Sequence, residues 1–121
     1  MDLLTRIAWG LLALLHLAPA LPLFNPRLVE TLYGVPPTGE AGVLLVHRGA
    51  LFLAVLVAAV VALLSPEARR VASLVVAISM IGFLLVYWRA GLPAGALRRI
   101  AVADVIGLVP LGLVLWEAWA R

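Results

Sequence analysis

An all-α membrane protein is the fold class this sequence predicts: four transmembrane helices in an up-down-up-down bundle, with a short amphipathic surface helix in the first loop. Three observations predict it. The 121 residues are 65% apolar and only 12% charged, with a mean hydropathy of +1.17, whereas a soluble domain carries roughly 25% charged residues. Four apolar runs each approach the ~20 residues that cross ~30 Å of hydrocarbon as a helix. The later connections are short, which makes successive helices antiparallel neighbours. Helix is the expected state of each run, because in lipid a segment must satisfy its own backbone hydrogen bonds.

The first run, "LLTRIAWGLLALLHLAPALPLF", covers residues 3–24. Arg6 before an apolar stretch and "APA" after it resemble a signal peptide. The acidic Asp2 and the interrupting His16 favour an uncleaved helix instead. The loop that follows, "NPRLVETLYGVPPTGE", is longer than the others. Asn25 and Pro26 form a helix start and Gly34 a helix stop. Between them Leu28, Val29, Leu32 and Tyr33 share one face, while Arg27, Glu30 and Thr31 share the other. The spacing predicts a two-turn helix over 26–33 that lies on the membrane surface and seals one end of the bundle. Pro36 and Pro37 then require an extended link.

The second helix is expected over 41–64. "SPEARR" is a tight turn in which Ser65 can cap, Pro66 suits the first helical position and Glu67 suits the positive end of the dipole. The third helix is expected over 66–89, with "AGLPAGA" as the next turn, and the fourth over 97–119, kinked near Pro110. There is no internal repeat, so residues 1–121 read as one integral membrane domain. Trp9, Trp116 and Trp119 on one side and Phe24, Tyr33, Tyr87 and Trp88 on the other are expected as two interfacial belts, with one or two of the Trp residues serving as packing anchors instead.

The net charge of +3 and isoelectric point near 10.6 do not indicate nucleic-acid binding, because the arginines are dispersed and flank apolar runs. They read as anchors to anionic lipid headgroups, making membrane lipids the expected partners. Arg6, Arg69, Arg70 and Arg121 fall on the terminal side, against Arg27, Arg89, Arg98 and Arg99 opposite. That balance leaves orientation open. The chain has no cysteine, which removes disulfides and thiolate chemistry. Its basic residues are all Arg in an Ala/Leu/Val/Gly-rich background. This composition suggests a GC-rich bacterial genome, and hence a multi-pass protein of the bacterial inner membrane.

The informative residues are the polar ones inside the runs. At 1.5 Å per residue, His47 lies about 10 Å inward of Glu40, with Arg48 one step deeper, and His16 lies about 10 Å from its helix end. Asp104 lies about 7 Å past Arg99. All four fall in one leaflet although they are distant in sequence. A charge at that depth costs about 2–3 kcal/mol and faces the bundle interior or water. The economical arrangement is an Arg48–Asp104 salt bridge, with His16 and His47 in the same cavity and Glu40, Tyr33, Arg89 and Arg98 at its mouth. Small residues flank these positions: Trp9, Ala13, His16 and Ala20 form one stripe, His47, Ala54 and Ala58 another, and Asp104 shares a side with Ala101 and Gly107.

Four readings of the cluster compete. It is a polar lock that fixes helix register. It binds a headgroup, a quinone or another small amphipathic molecule. His16 and His47 are axial ligands of a b-type haem. Or Asp104 and the histidines relay protons in a small transporter. Walker, GxGxxG, HExxH and GxSxG motifs are absent. Ser73 and Ser79 lack an evident base and are expected to bond back to their own helix. Two histidines alone make a poor zinc site, so no metal is expected.

At "LYG" (32–34), "HRG" (47–49) and "AD" (103–104) the chain resembles small bacterial four-helix membrane proteins of unknown function, similar in size and layout to DoxX-like families. Proteins of this look are sometimes labelled phosphopantetheine adenylyltransferase. The HxGH nucleotide-binding motif of that activity is absent, and "HLAP" at 16–19 does not replace it. The resemblance implies a membrane redox or quinone setting and transfers no catalytic residue. The reading carried forward is a non-enzymatic integral membrane protein. Its polar cavity, built by His16, His47, Arg48, Asp104, Glu40 and Tyr33, binds a small or lipid-like ligand, with no catalytic residues and no required cofactor. The alternative is a proton-coupled small transporter or a haem- or quinone-associated redox protein. A homodimer is compatible with the available small-residue faces.

Overall fold

The computed structural model describes residues 2–120, all of whose regular structure is helical. Arg121, counted above on the terminal side, lies outside the described residues. Four stretches are long and apolar enough to cross a membrane: Asp2–Leu23, Gly39–Leu64, Pro66–Arg89 and Leu97–Trp119. In chain order the elements are α1 (Asp2–Leu15), α2 (Leu17–Ala20), a 3-10 turn (Leu21–Leu23), α3 (Leu28–Tyr33), α4 (Gly39–Leu64), a second 3-10 turn (Pro66–Ala68), α5 (Arg69–Arg89) and α6 (Leu97–Trp119).

The long helices pack as a ring. α1 lies against α4 and α6, and α5 lies against the same two. Trp9 and Leu12 of α1, Ala59 and Ala62 of α4, Val76 and Met80 of α5, and Leu111 and Val114 of α6 fill the centre. Outside this thin core the helices present large apolar side chains outward, among them Leu3, Ile78 and Val109. Gly107 lets α6 close on its neighbours. A Cβ there would lie 2.7 Å from both the Leu15 and the Met80 side chains.

The first expected helix is not continuous. It stops at Leu15, turns at His16, and resumes as α2 and a 3-10 turn. Pro19 has no N–H to give the carbonyl of Leu15 and its ring crowds that carbonyl, and Pro22 repeats the defect three residues on. The His16 N–H is accordingly shared between the carbonyls of Leu12 (3.3 Å) and Ala13 (3.1 Å). α6 accommodates Pro110 within one continuous helix.

α3 forms within the expected segment, with Val29 and Tyr33 buried and Arg27, Glu30 and Thr31 exposed. Gly34 ends it in the left-handed conformation, φ +73°, with its N–H donating to the Glu30 carbonyl at 2.9 Å. A Schellman motif ends α5. Gly91 adopts φ +91°, its N–H reaches the Trp88 carbonyl, and the Leu92 N–H reaches that of Tyr87.

The opposite end is held by two consecutive arginines. Arg69 Nε donates to the Ala62 carbonyl (2.8 Å) and Nη2 to that of Leu63 (3.3 Å), satisfying the last turn of α4. Its Nη1 pairs with Asp2 at 3.2 Å. Arg70 Nε donates to the Ala118 carbonyl of α6 at 3.0 Å, and its guanidinium covers the Trp119 ring at 5.1 Å. Cationic donors at helix C-termini meet both the orphan carbonyls and the negative end of the dipole.

Two expectations about local roles are corrected. Ser65 makes no side-chain cap. The turn closes through its carbonyl, which accepts from the Ala68 N–H at 3.2 Å. Trp9, Tyr33 and Tyr87 are buried rather than interfacial. Tyr87 donates its hydroxyl to the Pro93 carbonyl and so ties down the turn after α5. Phe24, Trp88, Trp116 and Trp119 are exposed.

Candidate functional site

An open cleft of about 900 Å³ runs between α4 and α5. Leu45, Leu51 and Val55 form one wall, and Val75, Ile78 and Val86 the other. Tyr33 and Val35 stand at the end nearest the first loop, and Leu97 borders it from α6. Gly82 leaves room in the α5 wall, because a Cβ at that position would have no heavy atom within 4 Å. The lining is apolar except for Arg48, Ser79 and the Tyr33 hydroxyl.

Arg48 is half-buried, and aromatic rings enclose it. Its guanidinium carbon is 4.6 Å from the Phe52 ring centre, 5.4 Å from Phe83 and 5.6 Å from Tyr33. Its Nε–H donates a long bond, 3.4 Å, to the Tyr33 hydroxyl. Helix periodicity accounts for part of this, since Phe52 lies four residues after Arg48 on one face of α4. Phe83 comes across the cleft from α5, and Tyr33 from the last turn of α3. Ring quadrupoles attract the cation and offset part of its desolvation.

The expected Arg48–Asp104 salt bridge does not form. Among the described residues both ion pairs observed are made by Asp2, with Arg6 and Arg69. Asp104 is half-buried on α6 and makes no hydrogen bond or ion pair with the described residues. Arg48 is near enough for its field to reach the carboxylate, but no contact forms. Equal depth does not imply the same azimuth. Arg48 turns toward α5 and the cleft, and Asp104 is not among the cleft's lining residues.

The two histidines also separate. His16 is only 2% exposed. Its Nδ1 donates to the Leu12 carbonyl at 2.8 Å. A carbonyl can only accept, so Nδ1 carries the proton and Nε2 is left as an acceptor. The Ser79 hydroxyl donates to it at 3.1 Å, and the Phe52 ring packs beside the imidazole at 5.7 Å. Ser79 therefore bonds across to His16 rather than back to its own helix. Ser73 does bond back, donating to the Arg70 carbonyl at 2.7 Å, and it also accepts from Trp119 Nε1 at 2.9 Å. His47 is exposed, one position round α4 from Arg48, so the expectation that both histidines share one cavity is not met. Ala54 is likewise exposed, whereas Trp9, Ala13, His16 and Ala20 form a buried stripe as expected.

Of the expected mouth residues, Tyr33 belongs to the cleft, while Glu40, Arg89 and Arg98 are exposed and stand outside its lining. Among the described residues no group of three or more His, Asp or Glu is placed to hold a metal ion. Sequence reasoning missed Phe52, Phe83 and Ser79. Phe52 was legible as the i+4 neighbour of Arg48. Phe83 and Ser79 carried no such signal, because their role depends on how α5 packs.

No protein-family model matches the chain, and neither the curated proteins nor the solved structures contain a match to it.

Proposed function

We propose that this chain is a multi-pass membrane protein whose α4–α5 cleft binds a lipid-like ligand. The four helices would cross the bilayer up-down-up-down, with α3 along the surface, in the inner membrane of a bacterium. The outward display of Leu, Ile and Val along all four supports that placement, because lipid is the solvent in which such a surface is stable. The observation that carries the ligand reading is an apolar cleft of about 900 Å³ with a caged Arg48 inside it. Small-molecule sites are concave, chiefly apolar, and fixed by a few convergent polar groups. An ionisable group placed among hydrophobic walls is the usual mark of a membrane ligand site. The resemblance to DoxX-like proteins fits the same setting.

Native mass spectrometry of protein extracted in mild detergent tests the reading. The wild type should carry an adduct of lipid mass. Gly82→Leu should fold, because there is open space at that Cβ, and should lose the adduct by filling the cleft. No adduct on the wild type, or equal adducts on both proteins, would refute it.

A further inference from the structure

We infer that the cleft ligand is an amphiphile with one anionic head and an acyl-type tail, drawn from the bilayer, with Arg48 as the headgroup clamp. This rests on the cleft reading above and goes further by assigning the charge of the head and the residue that holds it.

A guanidinium has five N–H bonds lying in its plane. The rings of Phe52, Phe83 and Tyr33 attract the cation but offer those bonds no acceptor oxygen apart from the Tyr33 hydroxyl, which takes Nε–H at 3.4 Å. Among the described residues neither Nη has a hydrogen-bond partner, and no residue lining the cleft is acidic. Elsewhere the partly buried Arg69 and the exposed Arg70 each reach helix-terminal carbonyls. Arg48 differs from both. It holds two pairs of Nη donors and a full positive charge inside an apolar cleft.

A planar fork of donors matches a carboxylate or phosphate, which accepts two parallel bonds. An anionic head there would receive charge-assisted hydrogen bonds in low dielectric and balance the cation. The remaining walls, Leu51, Val55, Val75 and Ile78, offer apolar contact, and the Ser79 hydroxyl is already engaged with His16, which suits an acyl tail. The cleft is open on its outer side between α4 and α5, so a bilayer lipid could enter sideways. A volume near 900 Å³ falls within the ~300–1,000 Å³ of sites that take one small ligand. Asp104 on α6 carries the opposite charge and interacts with Arg48 through space. It weakens the pull of Arg48 on an incoming anion.

Binding of palmitate and of hexadecanol to the purified full chain in detergent tests the inference, since the two share a tail and differ in head charge. Wild type should bind palmitate roughly tenfold or more tighter than hexadecanol, the scale of one charge-assisted hydrogen bond. Arg48→Gln should erase that difference and Arg48→Lys should retain part of it. Asp104→Asn should tighten palmitate a few-fold and leave hexadecanol unchanged. This arm decides the matter if Arg48→Gln fails to fold, because no gain in palmitate selectivity would then overturn the inference. Equal binding of both probes, each blocked by Gly82→Leu, would overturn the anionic head and leave the cleft reading standing. No binding of either probe, or binding that Gly82→Leu does not alter, would remove both. Acetate should not compete with palmitate at equal concentration, and competition would replace the bilayer source with a soluble anion.

Discussion

His16 illustrates how one side chain settles a local break. Pro19 interrupts the hydrogen-bond ladder, and His16 sits at the resulting turn with both ring nitrogens engaged, one by the Leu12 carbonyl and one by Ser79. The second bond joins the α1–α2 turn to α5 across the core. Interhelical bonds of this kind are worth about 0.6 kcal/mol on average and up to about 1.7 in a membrane protein. A double-mutant cycle of His16→Phe and Ser79→Ala, read by thermal unfolding in detergent, should return a coupling energy in that range. Zero coupling would mean the bond contributes nothing to the fold. Arg48 is the contrasting case, because its aromatic cage offsets part of the cation's desolvation without using its Nη donors.

At the scale of elements, two contacts fix how the helices meet. Gly49 brings α4 against the turn after α2, where a Cβ would sit 2.8 Å from the Leu23 backbone nitrogen and 3.3 Å from the Ala20 carbonyl oxygen. Backbone cannot yield as a flexible side chain can, so Gly49→Ala should cost about 1–3 kcal/mol by overpacking. Gly112→Ala, with no atom within 4 Å, should be neutral or stabilise by up to about 1 kcal/mol through helix propensity. A loss of stability in both variants, or in neither, would contradict this account of Gly49. Arg69 is the other contact, joining the end of α4 to the start of α1. Its side chain is 13% exposed, against 66% for its partner Asp2. Arg69→Ala should therefore lower stability by about 1–3 kcal/mol, chiefly through the stranded Ala62 and Leu63 carbonyls. Asp2→Asn should change it by less than about 1 kcal/mol, as expected of an exposed pair. Equal losses would instead place the energy in the ion pair.

For the molecule as a whole, the decisive feature is a small core beneath a large apolar exterior. Val109, near the middle of α6, is 79% exposed. In water such a position tolerates a charge, whereas at the centre of a bilayer an arginine costs about 2.5–3.5 kcal/mol on insertion scales. Val109→Arg should sharply reduce the inserted fraction of α6 in a glycosylation-mapping assay. Glu30→Arg, on the exposed face of α3, should not. Unchanged insertion of Val109→Arg would argue against α6 as a spanning helix.

Hydropathy and periodicity run along one dimension, and they were enough for whatever depends on one dimension. The four long apolar stretches, the inward and outward faces of α3 and the stop at Gly34 were all legible. The break at His16 was legible in principle from Pro19 and Pro22. Azimuth was not. Each helix can turn about its own axis without changing the pattern of its sequence, so the depth expected for Arg48, Asp104, His16 and His47 left their facing open. Packing set it. Gly49 and Gly107 permit close approach only in certain rotations, and in that arrangement Arg48 meets Phe83 rather than Asp104. His16 meets Ser79, and His47 remains outside. The cleft between α4 and α5 has the same origin, because a space between two helices exists only once their rotations and separation are set.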